Sequence, residues 1–263
     1  MPAMSLFTLT LAAALGFMVL VWLISLVKRD ASIADIFWGL GFVLIAWISY
    51  FVAEGPSERK LLITGLTTVW GVRLAAHIFW RSRGRGEDPR YKAWRARHGE
   101  SFWWVSLFTV FGLQALLLWV VSLVVQVGQL SPLPRELGLL DGLGAVLWAT
   151  GFTFEAISDC QLLRFKVNPA NRGKIMDQGL WAYSRHPNYF GECLVWWGIF
   201  LITFSTPASA WSVVSPLTIT FLLLKVSGVN LLEKTILETR PEYRDYMKRT
   251  SAFFPRFRRM KKW

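Results

Sequence analysis

The sequence predicts an all-α membrane protein with about seven transmembrane helices, its N-terminus outside and its C-terminus in the cytoplasm. First, 54% of its 263 residues are apolar and only 17% are charged, with 15 Trp and 19 Phe. This composition is too apolar and aromatic for an ordinary soluble domain. Second, apolar runs recur at the length that crosses a bilayer, about 20 helical residues for a hydrocarbon core about 30 Å thick. Third, the Lys and Arg residues are concentrated in alternate connections between the apolar runs.

Seven apolar runs have the required length, and the connections between them are short, which predicts a single domain over residues 1–263. The first run exceeds 20 residues and has no Lys or Arg before it, so we expect a retained helix instead of a cleaved signal peptide. The predicted spans are 5–27, 33–53, 61–80, 102–127, 139–158, 180–204 and 211–228.

The distribution of Lys and Arg predicts the orientation, because these residues resist translocation. One side would carry Lys28 and Arg29, seven cations within 81–97, four within 164–174 and ten after Gly228, whereas the other side would carry only Arg59, Lys60 and Arg135. The formal net charge of +12 is accounted for by this asymmetry, so we expect membrane lipids and no nucleic acid as partners. The retained first helix and short loops are typical of a bacterial inner membrane. Nothing in the sequence indicates an oligomeric state.

Polar groups at membrane depth are candidates for function, because an unpaired charge in the bilayer costs several kcal/mol. In the front half these are Asp35, which opens the second span, and Arg73 and His77, which share a helix face four residues apart. Gln114 lies mid-span. Asp35 also fits a headgroup anchor, Arg73 a structural ion pair and His77 a packing residue.

In the back half, polar residues converge at adjacent helix ends. Glu155 and Asp159 are four residues apart at the end of the fifth span, and Asn188 and Glu192 have the same spacing at the start of the sixth. The connection between them, 160–179, contains Arg164, Lys166, Arg172 and Lys174 and is predicted to be a loop. Carboxylates beside cations suit a ligand with hydroxyls and phosphates, such as a nucleotide. The two cysteines and the absence of CxxC or HExxH predict no metal site.

Two stretches carry a family resemblance. The segment 177–192, DQGLWAYSRHPNYFGE, is followed by RPEYRDY at 240–246 and FFP at 253–255. Together they resemble the steroid 5-alpha-reductase superfamily, over residues 141–257. In the front half, DIFWG at 35–39 and VWGVRLAAH at 69–77 resemble the bacterial, uncharacterised branch of that superfamily.

The resemblance implies a seven-helix membrane enzyme that reduces an enone with NADPH, bound by the C-terminal half. Residues 5–127 would then supply the substrate-side helices and 139–263 the cofactor half. Asp159 matches a cofactor-binding carboxylate, Asn188 an amide at the nicotinamide and Glu192 an acid one turn later. Three positions depart in residue type: Lys166 and Lys174 stand where the family has arginines, and Glu155 where it has an asparagine. The predicted cofactor-binding residues are Glu155, Asp159, Lys166, Arg172, Lys174, Arg185, Asn188 and Glu192.

The predicted substrate is a lipid or a steroid-like enone. The family's Gln-Glu pair on the second span and Tyr on the third are not recognisable here. We therefore expect His77 or Asp35 to act as the acid and Arg73 to polarise an oxygen.

One alternative is an S-adenosylmethionine-dependent methyltransferase of the isoprenylcysteine carboxyl type, which has a similar RHPxYxG stretch. Its Glu-Glu pair is here Glu233-Lys234, which favours the reductase. A helical membrane protein without enzymatic activity is the third possibility; it leaves the clustered carboxylates unexplained.

Overall fold

The computed structural model describes residues 3–226 and 229–256, and these form helices joined by turns, without a β-strand in that part of the chain. The end of the predicted seventh span at Gly228 and the last cations of the tail, in 257–263, lie outside the described residues. Helices α1 to α11 are, in order, Ala3–Lys28, Ile33–Val52, Ser57–Ser82, Pro89–His98, Phe102–Ser106, Leu113–Leu130, Leu139–Val167, Pro187–Phe204, Val214–Phe221, Val229–Thr239 and Tyr243–Arg249.

Four helical segments are long and apolar enough to cross a membrane: Met4–Lys28, Ile33–Val52, Ser57–Ser82 and Pro89–Leu130. They coincide with the first four predicted spans. Large apolar side chains in them are exposed, for example Val69 at 51% and Phe108 at 66%. Lipid is the solvent that accommodates such surfaces. The chain is therefore an all-helical integral membrane protein, as predicted, while seven spans and the orientation stay predictions.

Two boundaries differ from the predicted ones. Helix α7 continues nine residues beyond 158, to Val167, because no helix breaker occurs before Pro169. Lys166 therefore lies on a helix and not in a loop. Conversely, α8 begins at Pro187 and not at 180, because proline is favoured in the first turn of a helix. Gly179–Ala182 before it forms a single 3-10 turn.

The chain divides into two compact units, residues 1–142 with 199–215, and residues 143–198 with 216–263. In the first unit, α2 packs on α1, α3 and α6. Its contact with α3 is made backbone to backbone, since a Cβ added at Gly71 would lie 2.5 Å from the carbonyl oxygen of Gly39. Glycine on both helices is what permits so close a crossing.

A buried ion pair fixes the connection that precedes α7 in the first unit. The Arg59 side chain on α3 is 0% exposed and donates to both carboxylate oxygens of Asp141, at 2.9 and 3.1 Å. It also donates to the carbonyls of Pro134 and Glu136, and Asp141 accepts from the Gly138 amide. The Arg59 guanidinium is thus paired inside the protein, although its position in the sequence predicted only a cation in a loop.

In the second unit, α7 and α8 make the same kind of contact. A Cβ at Gly151 would lie 2.5 Å from the Gly191 oxygen, and one at Gly198 would lie 2.7 Å from the Gly144 oxygen. Each helix therefore carries glycines seven residues apart. The C-terminal segment packs on the chain before α8, where the Arg185 amide donates to the Ser251 carbonyl and Ser184 Oγ to the Phe253 carbonyl.

We expect Gly71→Ala to destabilise the protein by about 1–3 kcal/mol, because the added methyl group overlaps the backbone of α2. Gly65→Ala on the same helix is the matched control, since nothing lies within 4 Å of a Cβ there. Alanine is the better helix former, so this control should be stabilised by up to about 1 kcal/mol. Thermal unfolding of both variants in detergent measures the difference; equal melting temperatures would contradict the close crossing.

Candidate functional site

The front polar cluster is built around Asp35 in the first turn of α2. Arg90 Nη2 donates to one carboxylate oxygen at 2.8 Å and the Tyr91 hydroxyl donates to the other at 2.7 Å. Both partners lie at the start of α4, where Asp88 caps the helix by accepting from the Arg90 amide. The predicted site residue Asp35 is therefore hydrogen-bonded to α4. The sequence analysis had explained the cations of this helix only by the orientation of the chain in the membrane.

Gln114 extends this cluster into α6. Gln114 Nε2 donates to the Tyr91 hydroxyl at 3.2 Å, while Gln114 Oε1 is buried with no hydrogen-bond partner in the described structure. The direction of each bond follows from chemistry, because an ionised carboxylate only accepts and a hydroxyl has one proton. With Asp35 ionised, the chain runs from Gln114 through Tyr91 to Asp35.

Arg73 and His77 lie on α3, half-buried and four residues apart on one face, as predicted. Helices α2 and α3 cross at Gly39 and Gly71 and run in opposite directions along the pair. Asp35, one turn before Gly39, therefore lies near the level of the turn after Gly71, which contains Arg73, and His77 follows one turn further along α3. The three predicted catalytic residues all lie in the first unit.

In the second unit, the glycine contact between α7 and α8 positions the back polar cluster. Gly191 packs on the backbone of Glu155, so the residues that flank these two positions are brought together. Glu155, Asp159 and Glu192 are 2%, 5% and 9% exposed. Carboxylates this buried need partners, because an isolated buried charge costs several kcal/mol. This is the cluster that the sequence predicted.

Asn188 joins the two helices directly. Its Nδ2 donates to Asp159 Oδ1 at 3.2 Å, whereas its Oδ1 is buried with no hydrogen-bond partner in the described residues. Asp159 requires a donor, so the amide orientation follows from its neighbour. A buried acceptor without a donor is unusual in a folded protein and marks a place where a ligand donor would fit.

The predicted phosphate-binding cations remain exposed. Lys166 lies in the last turn of α7, and Arg172 and Lys174 lie in the connection that follows. Arg240 donates to the Lys174 carbonyl at 2.7 Å, which ties this connection to the end of α10. These side chains are accessible to an anion in solution, and their assignment to a cofactor stays a prediction.

Arg185 lies in a buried ion pair. Its Nε and Nη2 donate to the two carboxylate oxygens of Glu233 at 2.7 and 3.1 Å, and its Nη1 donates to the carbonyls of Met247 and Thr250. His186 Nε2 also contacts Glu233, at 3.1 Å. These bonds give Arg185 a structural role in joining α8, α10 and α11. Its predicted cofactor contact stays a prediction.

Burial acts to raise the pKa of Glu233, but the hydrogen bonds from His186 and Arg185 outweigh it. The pKa therefore lies below its ordinary value of 4.5. Glu233 is thus an anion at neutral pH. It compensates Arg185 in the interior of the second unit.

Three residues of these clusters escaped sequence reasoning: Tyr91, His186 and Glu233. Tyr91 is in a polar helix whose charge pointed to topology, and sequence reasoning gave Glu233 no partner. The sequence contained one signal for His186, namely its position beside Arg185 in the motif at 177–192. No sequence spacing relates that motif to Glu233, 47 residues further on.

The fold and the two polar clusters define an all-helical integral membrane protein with buried acidic groups. The family model described as a protein of unknown function (DUF1295) matches residues 21–250. The chain belongs to this family, which is part of the steroid 5-alpha-reductase-like membrane superfamily, so the predicted resemblance to the superfamily is confirmed. The uncharacterized protein C594.04c of Schizosaccharomyces pombe is 26% identical over 269 residues, which cover 89% of this chain and 75% of the relative. No solved structure matches the chain.

We expect Glu233→Gln to lower the free energy of unfolding by about 1.5–3 kcal/mol near pH 7, because the charge-assisted bonds to Arg185 are weakened. A carboxyl with a depressed pKa stabilises the fold above its unfolded pKa and loses that contribution as the pH falls. The difference between wild type and variant should therefore shrink below about pH 4.5. Unfolding temperatures measured from pH 7 to pH 3 test this, and a constant difference would contradict it.

Proposed function

We propose that this protein is an NADPH-dependent reductase, embedded in the membrane, of a conjugated carbon–carbon double bond in a lipid or steroid-like enone. Membership in the steroid 5-alpha-reductase-like superfamily supports the reaction class. The observation that carries the proposal is the Asn188–Asp159 pair, in which the Asn188 amide oxygen is buried without a hydrogen-bond partner in the described structure. Such a pair suits the carboxamide of a nicotinamide better than an apolar ligand, because the carboxamide supplies the missing donor.

The residues of the second unit fit the remainder of the cofactor by their chemistry. Asp159, Glu155 and Glu192 are acceptors for ribose hydroxyls and amide groups. Lys166, Arg172 and Lys174 are exposed donors for phosphates. Arg185 contributes by holding the start of α8, because its bonds to Glu233 and to two carbonyls fix the turn before Asn188.

The residues of the first unit suit the proton side of the reaction. NADPH, held by Asp159, Asn188 and the cations between them in the sequence, would supply a hydride for the β carbon, and a protein acid would supply the proton for the α carbon. Protonated Asp35 is our candidate for the acid, and after the transfer its carboxylate would accept the hydrogen bonds from Tyr91 and Arg90. Arg73 polarises the carbonyl oxygen and His77 is the second candidate acid, both on α3.

We place the protein in a bacterial inner membrane, with seven spans and the C-terminus in the cytoplasm. Helices α7 and α8 and the shorter apolar segment Ala210–Val226 supply the last three spans. The distribution of Lys and Arg supports this orientation. Cytoplasmic NADPH would then reach the cations after α7 from the aqueous side.

We expect NADPH to raise the melting temperature of the detergent-solubilised protein, because a ligand that binds only the folded state stabilises it. Asp159→Asn should weaken NADPH binding about 10- to 100-fold, since a hydrogen bond to a charged group contributes about 1.5–3 kcal/mol. Cys160→Ser is the control, as this neighbouring side chain is exposed. NADH tests the role of the 2′-phosphate.

A parallel titration with S-adenosylmethionine tests the alternative function, a methyltransferase. A shift with S-adenosylmethionine and none with NADPH would replace the reductase with the methyltransferase. A shift with NADPH that is unchanged in Asp159→Asn would refute the proposed cofactor position while leaving the activity in place.

With an enone lipid that the wild type reduces, Asp35→Asn should lower kcat about 10²- to 10⁴-fold, as expected for the loss of a general acid. Tyr91→Phe should lower kcat about five- to tenfold through loss of one hydrogen bond. Tyr50→Phe is the control. Tyr50 lies on the same helix as Asp35, and its ring contacts Phe51 and Lys60. Consumption of NADPH reports the rate. If kcat stays within about twofold in Asp35→Asn, the acid is another group and His77 becomes the candidate.

A further inference from the structure

The connection 83–101, which contains α4, lies beyond the ends of the membrane-crossing helices of the first unit. Short turns make α1, α2 and α3 successively antiparallel, so Lys28 at the end of α1 and Ser82 at the end of α3 are at the same end of the unit. The Ala31 amide donates to Glu87 Oε1 at 2.9 Å, which joins the connections after these two helices. Helix α4 is therefore at the boundary between the hydrocarbon core and the lipid headgroups.

Tryptophan side chains lie at the same level. The indole N–H of Trp22, in the last two turns of α1, donates to the Trp103 carbonyl at 2.9 Å, and the two rings stack. Tryptophan is enriched at membrane–water interfaces, because its ring is apolar while its N–H requires a polar partner. The exposed rings at this end of the unit are Trp80 at 64%, Trp94 at 44%, Trp103 at 56% and Trp104 at 48%. Trp94, which is on α4, indicates that this helix lies in the headgroup layer.

Both acidic residues that precede α4 are used in contacts within the protein. Glu87 accepts from Nε and Nη2 of Arg95 at 3.0 and 2.8 Å. Asp88 caps α4 and accepts from the Arg90 side chain, which also donates to Asp35. These bonds hold one side of α4 against the turn between α1 and α2. They also use the negative charge nearest to the helix.

Four cations of the same region have no acidic partner. Within the described part of the chain, none of them makes an ion pair, and all four are exposed: Arg83, Arg85, Lys92 and Arg97. Arg97 lies three residues after Trp94, so the two side chains share a face of α4. The orientation of the chain requires positive charge in this connection but provides no counterion for it. A cationic surface at the depth of the headgroups attracts anionic lipids.

We propose that the exposed side of α4, together with the stretch 83–86 before it, binds the headgroups of anionic phospholipids. Arg83, Arg85, Lys92 and Arg97 pair with the negatively charged headgroup, since guanidinium groups donate two parallel hydrogen bonds to a phosphate. Trp94 packs against the glycerol and the first part of the acyl chains. This inference is independent of the proposed reduction, because neither NADPH nor an enone takes part in the binding.

Titration of short-chain phosphatidylglycerol onto the detergent-solubilised protein tests this site. We expect it to raise the melting temperature, because a ligand of the folded state stabilises that state. Phosphatidylcholine of the same chain length has a phosphate without net negative charge, and inorganic phosphate has the charge without acyl chains. Neither should produce the shift. The double variant Lys92→Gln/Arg97→Gln should bind phosphatidylglycerol about 30-fold more weakly, or about fivefold for each cation removed.

Arg135→Gln is the matched control, because this exposed cation lies in the connection between α6 and α7, at the opposite end of the first unit. It should bind phosphatidylglycerol as the wild type does. Arg83→Gln/Arg85→Gln, outside any helix, is a second variant and should lose affinity as the α4 variant does. Without lipid, all three should keep the wild-type melting temperature, since none of the substituted side chains makes an ion pair in the described structure.

Three results would overturn the site. Equal stabilisation by phosphatidylglycerol and phosphatidylcholine would show that the acyl chains alone bind. Wild-type affinity for phosphatidylglycerol in both double variants would place the lipid elsewhere on the protein. A shift of the same size with inorganic phosphate at the same concentration would show that the surface binds a free anion and not a lipid.

Discussion

Close packing of helices through glycine is the constraint on which both polar clusters depend. In a membrane the hydrophobic effect does not drive helices together, so van der Waals contact between backbones contributes much of the association. Gly39 and Gly71 allow α2 and α3 to cross at the level from which Asp35, Arg73 and His77 are positioned. Gly151 and Gly191 do the same for α7 and α8, and they bring Glu155 and Asp159 beside Asn188 and Glu192.

The buried charges are stabilised by pairing, and the pairs also connect distant parts of the chain. Arg59 with Asp141 fixes the connection before α7, and Arg185 with Glu233 joins α8 to α10 and to the C-terminal segment. Breaking such a pair leaves an uncompensated charge, which is why each is expected to be sensitive to substitution of one partner. By contrast, Asn188 and Gln114 each keep a buried side-chain oxygen without a hydrogen-bond partner in the described structure.

Sequence reasoning identified the acidic cluster because helical spacing of four residues places Glu155 with Asp159 and Asn188 with Glu192. It also selected Asp35, Arg73 and His77 as candidates, because polar groups are costly in a bilayer. It did not find Tyr91 or Glu233, since both act on residues 47 or more positions away in the sequence. Arg59 and Arg185 were assigned to loop charge and to cofactor binding, because a sequence does not show which cations are compensated inside the protein.

Composition and periodicity were sufficient to determine that this chain is an all-helical membrane protein, because the lengths of apolar runs reflect the bilayer directly. The stretches 177–192, 240–246 and 253–255 together were sufficient to place it in its superfamily. Only the tertiary structure decided which polar groups are already satisfied and which remain open. Hydrogen bonding depends on distance and direction between residues far apart in the chain, so the assignment of Glu233 to His186, and of Tyr91 to Asp35, required the folded molecule.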